Sequence, residues 1–264
     1  MTATLIETAI LVASAALAVA LATAPLRAWL IRRGIYDRPN ARSLHADLKP
    51  RGGGIAVVGA VIILWPLAAL AVGTAFSATD ALIAAFALGL AAVSFADDVR
   101  GLPAGARLAG QGAAVICGLA ALDGAPVFQG LLPAWLDFGL SALVWLWFVN
   151  LFNFMDGIDG VSGVETLAIG LGLGAVGLVA GAAPGDGLLA WLLAGAAAGF
   201  LWWNWAPARI FLGDVGSVPL GFLLGWLLLQ TAAAGQWAAA LILPAYYLVD
   251  ATLTLLRRAV RLEK

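Results

Sequence analysis

Five aspartates are the residues of this chain best suited to do chemistry. They are the adjacent pair Asp97-Asp98, then Asp156 and Asp159 in the run Asn150-Leu151-Phe152-Asn153-Phe154-Met155-Asp156-Gly157-Ile158-Asp159-Gly160, and Asp214 in Gly213-Asp214-Val215-Gly216-Ser217. Each stands where a long apolar run begins or ends. An ionisable group at the edge of hydrocarbon is costly, so it signals function before structure. Several carboxylates that converge there stay ionised only if cations hold them, either Mg²⁺ or guanidinium groups. With a single cysteine, Cys117, and a single histidine, His45, the donors are nearly all oxygen and suit a hard ion, not zinc.

Amides and bases accompany the acids. Asn150 and Asn153 stand three apart on one helical face beside the Asp156 cluster. The Asp-Gly repeats also read as plain turn chemistry, which explains the glycines but not the asparagines. Gly213–Ser217 opens an apolar run, where backbone N–H groups and the Ser217 hydroxyl could meet a phosphate. The loop from Arg38 to Arg51 supplies Arg42, His45, Lys49 and Arg51 for phosphate oxygens, with Gly52-Gly53-Gly54 permitting close backbone approach. The same bases also serve membrane topology and attraction to anionic headgroups.

The elements that position these residues are membrane helices. Of 264 residues, 63% are hydrophobic and 11% charged, too few polar side chains to cover a soluble globule. That excludes a water-soluble enzyme, a nucleic-acid binder and a disordered chain. Nine apolar runs approach the ~20 residues needed to cross a bilayer: 5–25, 54–72, 81–96, 108–122, 138–152, 162–181, 188–205, 216–231 and 237–256. The expected fold is an all-α polytopic membrane protein of about nine spans. No base precedes the first run, so it reads as a retained helix, not a cleaved signal. All 14 Lys and Arg residues fall in segments that follow odd-numbered runs, while the opposite segments carry only Glu7, Asp80, Asp123, Asp137 and Asp186. The positive-inside bias places the N-terminus outside and the acidic mouth in the cytoplasm. Glycines four apart (170/174, 177/181, 195/199, 221/225) predict close helix packing. The tryptophans, Trp202, Trp203 and Trp205 among them, predict an interfacial belt. Glu165 and Asp250, a turn or two inside their runs, are expected to pair with nearby arginines.

Taken in order, these clusters resemble the polyprenyl-phosphate N-acetylhexosamine-1-phosphate transferases, the family that includes the phospho-N-acetylmuramoyl-pentapeptide transferases. The resemblance rests on Asp37-x-Pro39-Asn40-x-Arg42-Ser43-x-His45, Pro50-Arg51-Gly52-Gly53-Gly54, Asp97-Asp98, Asn150 through Gly160, and Gly213-Asp214-x-Gly216-Ser217. Their wording is most similar to the O-antigen-initiating branch. The resemblance implies a bacterial inner-membrane enzyme, its active site facing the cytoplasm. It would transfer sugar-1-phosphate from a UDP-N-acetylhexosamine to polyprenyl (undecaprenyl) phosphate with release of UMP, a homodimer being plausible. It implies Mg²⁺, or Mn²⁺ in its place, on Asp214 with Asp97 or Asn153. Asp98 or Asp97 would deprotonate or orient the lipid phosphate. Asp156 and Asp159 would hold the nucleotide or sugar end, and Arg42, His45 and Arg51 would line the phosphate path. Direct displacement and a two-step route through a covalent aspartate both fit. Family members continue into a histidine-bearing loop and further helices. This sequence stops at Arg261-Leu262-Glu263-Lys264, so one transferase domain without that loop is expected. The competing class is an ion-coupled transporter or flippase, which would carry its charges near the bilayer midplane between broken helices.

Overall fold

The computed structural model describes residues 2–37, 48–122, 126–181 and 187–261. In chain order the elements are α1 (Thr2–Arg33), β1 (Tyr36–Asp37), β2 (Lys49–Pro50), α2 (Gly54–Ala71), α3 (Ala78–Arg100) and α4 (Ala104–Ala120). There follow α5 (Ala134–Met155), α6 (Val161–Ala180), α7 (Leu188–Asn204), α8 (Asp214–Ala233), α9 (Trp237–Ile242) and α10 (Ala245–Val260). Six helices, α1, α2, α3, α5, α6 and α8, are long and apolar enough to cross a membrane, and α7 is apolar but shorter. The chain is a polytopic helical membrane protein.

The run expected as a ninth span is two helices instead. Pro244 stands between α9 and α10, and a proline there lacks the N–H a continuous helix needs. Downstream of the break, α10 leaves Tyr246, Val249, Leu253 and Leu256 exposed.

The recurring glycines do what their spacing predicts at three of four pairs. A Cβ on Gly195 or Gly199 would lie 2.3 and 2.1 Å from backbone oxygens of Val12 and Ala16, so α7 rides directly on the α1 backbone. Gly170 and Gly174 do the same for α7 against α6, with Ala190 and Trp191 in contact, and Gly221 and Gly225 admit Val149 and Trp145 of α5 to α8. In the fourth pair, Gly181 is the left-handed C-cap of α6. The central helix is α8, buried along almost its whole length. It is locked to α5 by Trp145, whose Nε1–H donates to Phe222 O at 3.0 Å while its indole stacks on the Phe222 ring.

Two of the acids expected at the far mouth have structural duties. Asp80 completes a reciprocal cap with Ser77 at the start of α3. Asp137 is buried and accepts the N–H groups of Val127 and Phe128 at 3.1 and 2.8 Å. Asp97, Asp98, Asp156, Asp159 and Asp214 gather at the opposite end of the bundle. There α3 and α5 finish and α4 and α8 begin, and Arg51, next after the β1–β2 pair, bridges to Phe211 just before α8.

Candidate functional site

Arg51 is the hub of that end. Backbone bonds fix it: its N–H donates to Ile35 O at 3.3 Å, and Phe211 N–H donates to the preceding Pro50 O at 2.9 Å. The guanidinium Nη2 lies 2.8 Å from Asp98 Oδ1 and 2.5 Å from Asp214 Oδ1, and Nη1 lies 3.8 Å from Asp37 Oδ1. Burial alone would lower the pKa of Arg51, but Asp98, Asp214 and Asp37 together outweigh it and raise the value. The hub therefore stays charged. Asp98 Oδ2 in turn accepts the Val215 N–H at 3.3 Å, placing a carboxylate on the positive end of α8.

A second guanidinium serves the neighbouring acid. Arg107 Nη1 lies 2.8 Å from Asp97 Oδ2 and 3.8 Å from Asp214 Oδ2, while Asp97 Oδ1 accepts the Leu102 N–H at 2.6 Å. Asp214 thus stands between two arginines, and each arginine also holds one member of the Asp97-Asp98 pair. The two ways of keeping clustered acids ionised were a divalent ion or guanidinium groups. In this structure guanidinium groups stand beside Asp97, Asp98 and Asp214.

Around this clasp, Asn153 Oδ1 accepts the Ser217 hydroxyl at 2.6 Å, and the Ser217 side chain is fully buried. Asn150 turns its amide back to Leu146 O at 2.8 Å, yet still lines a cavity with Asn153, Arg107 and Asp214. Asp156 caps α5. Burial pushes its carboxyl up to about 7, with a Ser162 hydroxyl bond opposing and the Asp214 charge adding. The Ser162 hydroxyl is also 3.1 Å from the Tyr247 hydroxyl of α10. Asp159 Oδ2 accepts the Ala208 N–H at 2.7 Å and lies 3.9 Å from Lys49 Nζ. It ties the turn before α8 to the basic loop.

The structure thus brings Asp97, Asp98, Asp214, Arg51 and Asn153 together, with Asp156 in electrostatic reach and Asp159 joined through Lys49. Arg42 and His45 lie outside the described residues. The glycine run serves the fold here, not an incoming phosphate. Gly52 and Gly53 donate to Phe211 O at 3.1 and 2.9 Å, and Gly54 donates to Leu212 O at 2.9 Å. A Cβ on Gly54 would sit 2.2 Å from Gly216 Cα. The α8 N-terminus is likewise met by Asp98, not left open. Glu165 has no arginine partner among the described residues, contrary to expectation. It is bonded to the Tyr247 backbone N–H, and its Oε1 is buried without a partner. Arg107 and Tyr247 are site neighbours that carried no assigned role in the sequence, and Asp37 stood there only as the first residue of the Asp37–His45 motif. Arg107 follows Asp97 by ten residues and was counted only among the 14 bases that set topology, and Tyr247 had no signal beyond being one of three tyrosines.

No group of three or more His, Cys, Asp or Glu among the described residues forms a ready metal cage. The donors nevertheless fit Mg²⁺. That ion is usually held by one or two carboxylates plus substrate phosphates, and Asp98 and Asp214 already point oxygens at a single cationic nitrogen.

Comparison with known proteins gives a consistent pattern. The sequence model described as Glycosyl transferase family 4 matches residues 80–232. The chain is 34% identical over 260 residues to a decaprenyl-phosphate N-acetylglucosaminephosphotransferase of Mycobacterium tuberculosis, covering 87% of this chain and 61% of that protein. It is 35% identical to the Mycolicibacterium smegmatis protein of the same name, again over 87% of this chain and 61% of the relative. It is 31% identical to a phospho-N-acetylmuramoyl-pentapeptide-transferase of Frankia casuarinae, covering 80% of this chain and 73% of that protein. The chain therefore spans about three-fifths of the length of the mycobacterial relatives.

Proposed function

The chain belongs to glycosyl transferase family 4, and from that we propose that it transfers a sugar-1-phosphate from a UDP-N-acetylhexosamine to polyprenyl phosphate. The products are polyprenyl-diphospho-sugar and UMP, and the reaction initiates a cell-surface glycan. The reading places the enzyme in a bacterial inner membrane with the acidic mouth in the cytoplasm, where the bases also lie. One observation carries it: carboxylates from separate helices, Asp98 of α3 and Asp214 of α8, converge on one guanidinium at a helix-bundle end. That is a place where two phosphate-bearing substrates, one from the bilayer and one from water, could meet.

Phosphoryl transfer asks the protein mainly for positioning and charge neutralisation. Arg51 and Arg107 offset the charge of the two substrates. Asp98 and Asp214 orient Arg51 and form the pair that would hold Mg²⁺ or Mn²⁺, with Asp97 and Asn153 beside them. A bound divalent ion supplies Lewis-acid neutralisation of the diphosphate. The Asp97-Asp98 pair also stands where a lipid phosphate would need orienting or deprotonating. Asp156, in electrostatic reach of Asp214, and Asp159, beside Lys49, offer acceptors to the hydroxyls of the sugar or nucleotide.

The test uses the full-length protein in nanodiscs with polyprenyl phosphate and UDP-N-acetylglucosamine. UMP release that stops with EDTA and returns with Mg²⁺ or Mn²⁺ is the expected result. A folded protein that releases no UMP with any UDP-N-acetylhexosamine overturns the reading, as does a metal-independent rate.

A further inference from the structure

Beneath the charged mouth lies a second, neutral layer. The four helices around the clasp each carry a mouth residue, namely Asp98 on α3, Arg107 on α4, Asn153 on α5 and Asp214 on α8. One turn deeper on the same helices, about 6 Å at 1.5 Å per residue, stand Ser94, Gln111, Asn150 and Val218. All eight except Asp98 line one cavity of about 270 Å³. Val93 of α3 and Leu108 of α4 line it too and are exposed apolar side chains, so part of its wall belongs to the surface that meets lipid.

Two polar atoms in this cavity's wall are buried without a hydrogen-bond partner: the Arg107 Nε–H, a donor, and Gln111 Oε1, an acceptor. They lie one helical turn apart on the same face of α4. Buried polar atoms left unpaired cost about 1–3 kcal/mol each, so two of them in the wall of one cavity mark a place for a partner. The partner must both accept and donate, must fit a slot below the acids, and must arrive from the bilayer side. A phosphate monoester on a lipid tail has these properties. One of its oxygens accepts from Arg107, and its hydroxyl in the monoanion donates to Gln111. If the amide is turned over, its N–H donates to a second phosphoryl oxygen instead.

The geometry points to Gln111, with Arg107 Nε, as the seat of the lipid phosphate, so that the headgroup waits one turn below the carboxylates while the nucleotide sugar occupies the mouth above. This rests on the transferase reading and names the subsite that reading leaves open. The neutral layer explains how an anionic headgroup tolerates three nearby aspartates. Gln111, Asn150, Asn153 and the Arg107 guanidinium share the cavity lining with Asp214, and the carboxylates of Asp97, Asp98 and Asp214 are already engaged by Arg51, Arg107 and backbone N–H groups.

The experiment compares wild type, Gln111→Met and Ser94→Ala in the full-length protein in nanodiscs. It measures binding of radiolabelled polyprenyl phosphate and, separately, KM for both substrates. Gln111→Met is expected to weaken polyprenyl-phosphate binding and raise its KM about tenfold, equivalent to about 1.4 kcal/mol. The KM for the UDP-sugar should stay within about twofold. Ser94→Ala should show the same selectivity to a smaller degree, and it decides the matter if Gln111→Met does not fold. Unchanged lipid binding in the folded variants, equal changes for both substrates, or a fall in kcat alone overturns the assignment. Absence of turnover in wild type that still binds the lipid Gln111-dependently would instead defeat the proposed reaction and leave this subsite standing.

Discussion

Removing the hub cation tests the clasp without any substrate. In Arg51→Met, Asp98 and Asp214 keep their positions but lose a guanidinium at 2.8 and 2.5 Å, with side chains only 3% and 18% exposed. At an effective dielectric near 20 each contact is worth about 6 kcal/mol before solvation is counted. Most of that is returned as desolvation, and breaking a buried pair by deleting one partner costs about 3–5 kcal/mol net. Arg51 is itself 31% exposed, so the lower end, about 3 kcal/mol, is the expected loss. Asp98→Asn in the same background removes one stranded charge. The double variant should therefore be more stable than the sum of the single losses predicts, with a coupling of about 1.5–3 kcal/mol. Unfolding in mixed detergent micelles measures all four corners of the cycle. A coupling below about 0.5 kcal/mol would refute the reasoning, because Arg51 and Asp98 would then be neighbours without being energetic partners.

Two further outcomes follow from the same geometry. Gly54→Ala places a methyl about where Gly216 Cα stands, 2.2 Å from the ideal Cβ, so the crossing of α2 and α8 must open; a loss of about 1–3 kcal/mol is expected in the same unfolding assay. Because burial raises the Asp156 carboxyl to about 7, from an unfolded value near 4, the folded protein binds that proton more tightly than the unfolded chain does. The stabilisation is therefore complete below about pH 4 and declines as pH rises through about 7. Asp156→Asn should flatten this part of the stability–pH curve, whereas an unchanged slope would assign it to another group.

Much of the site was legible because its residue types are out of place in a lipid-soluble chain. Asp97-Asp98, Asp156 and Asp214 are conspicuous against apolar runs, and the expense of burying charge there predicts both function and a compensating cation. Which cation was open, since nothing local tells a guanidinium from a metal. Arg107 escaped notice because a base behind an acid pair is also what membrane topology requires. The glycine run was read toward a ligand when its N–H groups meet Phe211 and Leu212. A glycine's permissiveness says that something comes close, not what it is. The break at Pro244 was visible as a residue, but an apolar window through it still reads as one span.

Taken alone, the sequence determined that the chain lives in a bilayer, that its helices pack through small residues, and that Asp97, Asp98, Asp156, Asp159 and Asp214 belong to one end. These are properties of composition, period and charge placement, each set by local chemistry. Tertiary structure decided which acid meets which arginine, that Asp98 caps the α8 N-terminus, and that Arg107 Nε and Gln111 Oε1 lie in the wall of one cavity. Except for Arg107 and Gln111, which share α4, such pairings join residues on different elements. They depend on how whole helices are rotated and offset against one another, and that is fixed by packing across the entire bundle.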